Sequence, residues 1–372
     1  MSDVVLFEEL ATNNGYTIAV ATLNSEKSLN ALSLDMVKLL YPKLIQWSQN
    51  ENIAMVVLQG AGEKAFCAGG DVVDLYKASV NIGRGNYANE VETFFTSEYQ
   101  LDHLIHTYSK PILLWGHGIV MGGGLGLMAG ASHRVVTEKS RIAMPEITIG
   151  LYPDVGGTYF LNRMPDGCGL FLGLTGASIN ATDAKYVNLA DHCLLFESKS
   201  ELMDKLLTTD WQKDDETNHK HLTTLLMSLE NNSVMPAGNI SNHKELISSL
   251  ANCERVSSAV VNILDEQTDD KWFTRAQASL KHGSALSAHL VFNQLDHGKT
   301  LNLVECFQFE LGLSVHCAAI GEFTEGVRAL LIDKDNQPNW MFENVTDVDK
   351  GLITKLMTSP WSEQQHPLAN LA

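Results

Sequence analysis

Apolar and polar positions follow two rhythms along the first two hundred residues. Residues 16–23 and 53–59 are short, β-branched runs, which predicts strands. Between them Ser33 stands where a helix N-cap belongs, ahead of an amphipathic stretch over residues 34–47. The order strand, helix, strand then recurs. A helical segment over residues 88–108 precedes a strand at 111–114, and further strands are predicted at 134–137 and 141–144. This repetition predicts βαβ units with buried parallel strands, an α/β fold. Beyond about residue 197 the strand signal fades. Residues 199–297 are polar and helical in rhythm, with Asn/Ser-rich breaks at 231–233 and 239–242 that read as loops between helices. The expected division is therefore a core over residues 1–198 and a mainly helical region over 199–372.

One stretch departs from both rhythms. Residues 111–131 contain no Lys, Arg, Asp or Glu, long enough to span a bilayer by composition. Seven glycines argue otherwise, because each costs a helix about 1 kcal/mol relative to Ala. A buried strand, a glycine turn and a helix start fit better. Apolar residues make up 45 % of the chain, which rules out disorder. The formal charge of −18 repels nucleic acid and anionic membrane surfaces alike, and no local basic patch offsets it, so neither is an expected partner. Small-molecule chemistry becomes the default. The six cysteines form no C-x-x-C pair and read as core thiols. The first nine residues, from Met1 to Glu9, carry acids and no basic region, matching neither a signal peptide nor a transit peptide, so the expected address is cytoplasmic.

Candidate chemistry narrows by elimination. His103 and His106 stand at helical i, i+3 spacing beside Asp102, but no third ligand is in register, so no metal is expected and the set reads as an exposed helix face. The nucleophile elbow G-x-S-x-G is absent, and the dinucleotide and phosphate-loop glycine patterns are incomplete. What remains is Cys67-Ala68-Gly69-Gly70-Asp71 after a strand, Gly122-Gly123-Gly124 at a helix start, and Met144-Pro145-Glu146 followed by Pro153-Asp154-Val155-Gly156-Gly157. Bare backbone amides in the first two of these clusters suit an oxyanion hole; the alternative for each glycine cluster is a tight turn. Glu146 and Asp154, eight residues apart in an otherwise apolar and glycine-rich segment, suit an acid and base with divergent pKa values; the alternative is a pair of surface loop residues.

These motifs, together with Leu29-Asn30-Ala31-Leu32, resemble the enoyl-CoA hydratase/isomerase family, the crotonases, in order and spacing over nearly the whole chain. The resemblance implies a spiral core of ββα turns with a helical C-terminal region. It implies an acyl-CoA substrate, with coenzyme A part of that substrate and no separate cofactor. The amides of Gly70 and Gly123 would form the oxyanion hole, and Lys27, Ala68, Gly70 and Asp71 would lie along the CoA. Glu146 would be the principal catalytic carboxylate, Asp154 its partner, and Glu98 a substrate-contacting acid.

Hydratases of the family carry a second catalytic glutamate where this chain has Gly126, and glycine where it has Asp154. Those two departures, and the segment from Phe323 to Asp335 with Pro338 and Trp340, resemble the family's thioester-hydrolysing branch. The implied reaction is hydrolysis of 3-hydroxyisobutyryl-CoA in valine breakdown. Another reaction on an enoyl-CoA and a non-catalytic structural subunit are the alternatives. Monomer, dimer and trimer all remain compatible with the sequence, so a homo-oligomer is an open expectation.

Overall fold

The computed structural model describes residues 3–371; Met1 and Ser2, which open the acidic N-terminal segment, and Ala372 lie outside them. The chain divides into two compact units, each assembled from three segments. The first comprises Met1–Gly70, Leu101–Ile142 and Ile179–Gly238, the second Asp71–Gln100, Ala143–Ser178 and Asn239–Ala372. The change in composition near residue 198 thus marks a change in secondary structure, while the units part elsewhere.

The first unit is built on a six-stranded sheet. Its strands are β1 (Val5–Ala11), β2 (Thr17–Leu23), β3 (Ile53–Gly60), β5 (Ile112–Gly116), β7 (His133–Thr137) and β9 (His192–Leu194), hydrogen-bonded in that order. β1 runs antiparallel to β2, and every later neighbour is parallel. The register sets Val20 beside Val57, Leu58 beside Leu114 and Val136 beside Cys193, so the central strands read as continuous apolar runs, as parallel strands covered on both faces must. A second sheet joins β4 (Ala65–Cys67), β6 (Ile119–Met121) and β8 (Arg141–Ala143). The glycine-rich stretch therefore supplies β5, β6 and the helix Gly123–Gly130, the strand, turn and helix start that its glycines favour.

The helix Leu34–Gln49 begins where Ser33 Oγ accepts from the Met36 amide at 3.2 Å. It buries Met36, Val37, Leu40, Leu44 and Trp47 on one face. The helices Lys199–Thr208 and Asp215–Leu229 belong to the same unit: Leu206, Leu222 and Leu226 join Trp115 and Val135 in one apolar cluster. Five of the six cysteines are buried, Cys253 is half-buried, and all are free thiols.

The second unit is mainly helical. Its longest apolar helix, Leu303–Ile320, starts at a capping box of Asn302 and Glu305. Among the described residues it is the one helix long and apolar enough to cross a membrane, yet 67 % of that stretch is buried inside the protein. It packs as a core helix and carries three polar side chains inward, Glu310, Ser314 and His316.

Candidate active site

In the first unit, one buried amide fixes a loop that carries Lys27 and borders Ala68 and Gly70. Asn30 Nδ2 donates to the backbone oxygens of Ala61 at 2.9 Å and Ala65 at 3.0 Å, while its Oδ1 accepts from the Ser25 amide at 2.9 Å. These bonds hold Leu29 and Asn30 at φ 54° and 58°, left-handed values that non-glycine residues reach only where surroundings enforce them. The loop is then laced to the end of β4: the Ala68 amide donates to Leu29 O at 3.1 Å and the Leu32 amide to Gly69 O at 2.8 Å. Gly70 lies beside Leu32, Ala68 is half-buried, and Lys27 is exposed on the short helix Glu26–Ser28.

Gly123 opens the helix Gly123–Gly130, so its N–H has no helical partner and sits at the positive end of the helix dipole. Gly122 precedes it at φ 47° and ψ −125°, a conformation only glycine adopts with ease. A Cβ on Gly124 would stand 2.4 Å from the Cys67 backbone oxygen, so that glycine is what lets the helix start lie against β4. Gly126 is buried within the same helix and offers no carboxylate. The face bearing Asp102 and His103 is buried, which corrects the expectation of an exposed one. The His106 ring rests against Gly130, and burial pushes its pKa down to about 4.

The second unit gathers the acids. Glu98 is 2 % exposed, Glu146 5 % and Asp154 4 %, so none is a surface residue. Burial raises Glu98 well above the usual carboxylate range, and the charge of Asp154 raises it further. Burial also raises Glu146 well above that range, followed by repulsion from Asp154 and then Glu98. Burial lifts Asp154 to about 6, against the pull of its hydrogen bonds with Tyr99 and its own backbone amide. Glu98 Oε1 and Glu146 Oε2 have no hydrogen-bond partner among the described residues. Three neighbouring carboxyls in a dry setting cannot all hold a charge, so protons are shared among them near neutrality. Asp71, the first residue of this unit, stands half-buried at the N-cap of the helix Val72–Ile82.

Four polar groups that sequence reasoning missed complete this cluster. The Tyr99 hydroxyl hydrogen-bonds with Asp154 Oδ2 and with Ser314 Oγ, both at 2.8 Å. Ser314 Oγ also meets the Tyr152 hydroxyl at 2.8 Å. The Glu310 carboxylate accepts from the amides of Gly156 at 2.8 Å and Thr158 at 2.7 Å. It thereby pins the turn after Asp154, where Val155 sits at φ 52° and Gly156 at φ 87°. A left-handed valine is a strained residue, and such strain persists where the surrounding structure fixes it. Burial raises Glu310 to about 8 despite its donors. The available signal for Glu310 was an acid in the middle of a largely apolar helical run; Tyr99 and Ser314, 215 residues apart, offered none.

Residues 18–357 match the family model described as enoyl-CoA hydratase/isomerase. The chain belongs to the enoyl-CoA hydratase/isomerase family. It is 38 % identical to a protein of Danio rerio named 3-hydroxyisobutyryl-CoA hydrolase, mitochondrial, over 95 % of this chain and 89 % of that one. The Homo sapiens protein of the same name is 34 % identical over 92 % and 86 %. Among solved structures, an enoyl-CoA hydratase from Rhodobacter sphaeroides 2.4.1 superposes with a TM-score of 0.82 at 29 % identity, covering 96 % of this chain and 98 % of that one. A carnitinyl-CoA dehydratase from Mycobacterium thermoresistibile gives 0.83 at 27 %, covering 96 % and 97 %. The fold is the crotonase fold, with a helical C-terminal region. The mitochondrial relatives overturn the expected cytoplasmic address. An acidic stretch of residues and a negative net charge describe surface chemistry and carry no compartment signal.

Proposed function

We propose that this chain hydrolyses 3-hydroxyisobutyryl-CoA to 3-hydroxyisobutyrate and free CoA. The observation that carries the reading is the buried Glu146 and Asp154 pair, each raised by burial, in a chain that matches hydrolases of that name along nearly its full length. The amides of Gly70 and Gly123 receive the thioester oxygen as it gains negative charge. Lys27, Ala68 and Asp71 lie along the CoA, and Glu98 accepts from the substrate hydroxyl through its unpartnered oxygen.

Glu146 attacks the carbonyl as a carboxylate, forming a mixed anhydride as the C–S bond breaks. The departing thiolate takes its proton from Asp154. Water then opens the anhydride, returning one proton to Asp154, leaving the other on the product acid and freeing Glu146. In the variant route Glu146 takes a proton from water, which attacks directly. Hydration of an enoyl-CoA, the activity named for the Rhodobacter sphaeroides structure, is disfavoured by the buried Gly126, which leaves no second carboxylate after the triple glycine.

Thiol release from 3-hydroxyisobutyryl-, 3-hydroxypropionyl- and crotonyl-CoA, measured side by side, tests the reading. Release from the two hydroxyacyl thioesters is expected. Hydration of crotonyl-CoA without release from either would refute it.

A further inference from the structure

Four oxygen-to-oxygen contacts run in series through the second unit, and only three hydroxyl protons serve them. The Tyr152 hydroxyl lies 2.7 Å from the Glu310 backbone oxygen and 2.8 Å from Ser314 Oγ. Ser314 Oγ lies 2.8 Å from the Tyr99 hydroxyl, which lies 2.8 Å from Asp154 Oδ2. Each hydroxyl donates one proton. The Glu310 carbonyl only accepts, so Tyr152 donates to it. When every contact is filled from that end, Ser314 donates to Tyr152 and Tyr99 to Ser314. No hydroxyl proton is left for the contact between Tyr99 and Asp154, and two bare oxygens at that distance repel. The contact becomes a hydrogen bond when Asp154 carries a proton and donates it to Tyr99.

We propose that Tyr99, Ser314 and Tyr152 are positioning residues that form a hydroxyl chain, anchored on the Glu310 carbonyl, which favours the proton-bearing form of Asp154. The surroundings favour the same state. The titratable groups that interact with Asp154 are Glu98 and Tyr99, Glu146, Tyr152, and Glu310 and Cys317 from the helix Leu303–Ile320. All are acids, and none offers a positive charge to hold Asp154 ionised.

On ionisation Tyr99 donates to the new carboxylate, and Ser314 and Tyr152 can then fill only two of the three remaining contacts. The ionised state therefore has one hydrogen bond fewer. Where the chemistry is concerned, and resting there on the hydrolase reading, a proton on Asp154 frees Glu146 to carry the pair's negative charge when it attacks. It also stores at Asp154 the proton that the thiolate needs.

The chain gives opposite signs to substitutions at its two ends. Tyr152→Phe removes one hydroxyl and two contacts, so the ionised state no longer loses a bond, and the Asp154 midpoint is expected to fall by about one pH unit. Ser314→Ala acts in the same direction. Tyr99→Phe costs the protonated form two neutral bonds but strips the buried carboxylate of its charge-assisted donor, the larger loss, and is expected to raise the midpoint. The test is a carbon-13 NMR titration of carboxyl-labelled aspartate without substrate, with the Asp154 signal assigned by its loss in Asp154→Asn and folding checked by thermal melting.

A downward shift in Tyr152→Phe and Ser314→Ala with an upward shift in Tyr99→Phe supports the chain. An unmoved midpoint in folded Tyr152→Phe or Ser314→Ala, or shifts of one sign in all three, overturns it. The same titration separates this proposal from the activity: a wild-type protein that releases no thiol refutes the hydrolase reading, while the midpoints still decide the chain.

Discussion

Asp154 illustrates what a buried acid does to the fold that holds it. Its carboxyl is raised from the ordinary 3.8 to about 6, so between those pH values the folded chain binds more protons there than the unfolded one. Stability from this group is then full below 3.8 and declines as pH rises through the window. Asp154→Asn is expected to melt at a higher temperature than wild type at about pH 7.5 and to lose that advantage at low pH, as melting curves across pH would read. The same substitution removes the proton donor, and turnover is expected to fall roughly 10²–10⁴-fold. A more stable and less active variant is what separates a working carboxyl from a structural one.

Two elements place the groups that the reaction needs. At Gly124 the usual helix rule reverses. Alanine normally stabilises a helix relative to glycine by about 1 kcal/mol, but here its Cβ would meet the Cys67 backbone oxygen at 2.4 Å. Gly124→Ala is expected to destabilise by about 1–3 kcal/mol in denaturant melts and to displace the Gly123 amide, lowering kcat. At Glu310, substitution by Gln leaves one of two backbone amides without a good acceptor; a loss of about 1–3 kcal/mol is expected by the same measurement.

How far these elements were legible follows from their geometry. The strands at 53–59 and 111–114, the cap at Ser33 and the Glu146 and Asp154 pair are local patterns, and each stands in the structure. The strand Val5–Ala11 carries adjacent acids at Glu8 and Glu9 that mask its alternation, and it was not foreseen. Val155 in a left-handed turn looks in sequence like any strand residue. Tyr99 and Ser314 meet only because two distant helices pack, so no spacing could have paired them.

At the scale of the molecule, neither unit is a continuous piece of chain. The first unit's apolar cluster draws Leu202, Leu206, Trp211, Leu222 and Leu226 from beyond residue 198. A fragment of residues 1–198 is therefore expected to bind a hydrophobic dye and melt without cooperativity, measured by fluorescence and circular dichroism. A cooperative melt would contradict this account of the core. The same cut parts Glu146 and Asp154 from Glu310, which holds their turn. The central claim is that one buried carboxylate, Glu146, drives thioester hydrolysis. The measurement that tests it most directly is steady-state CoA release from 3-hydroxyisobutyryl-CoA by wild type and by Glu146→Gln, with folding of both verified. Rapid release that falls by at least about 10²-fold in the variant is expected; full turnover by folded Glu146→Gln would contradict the account.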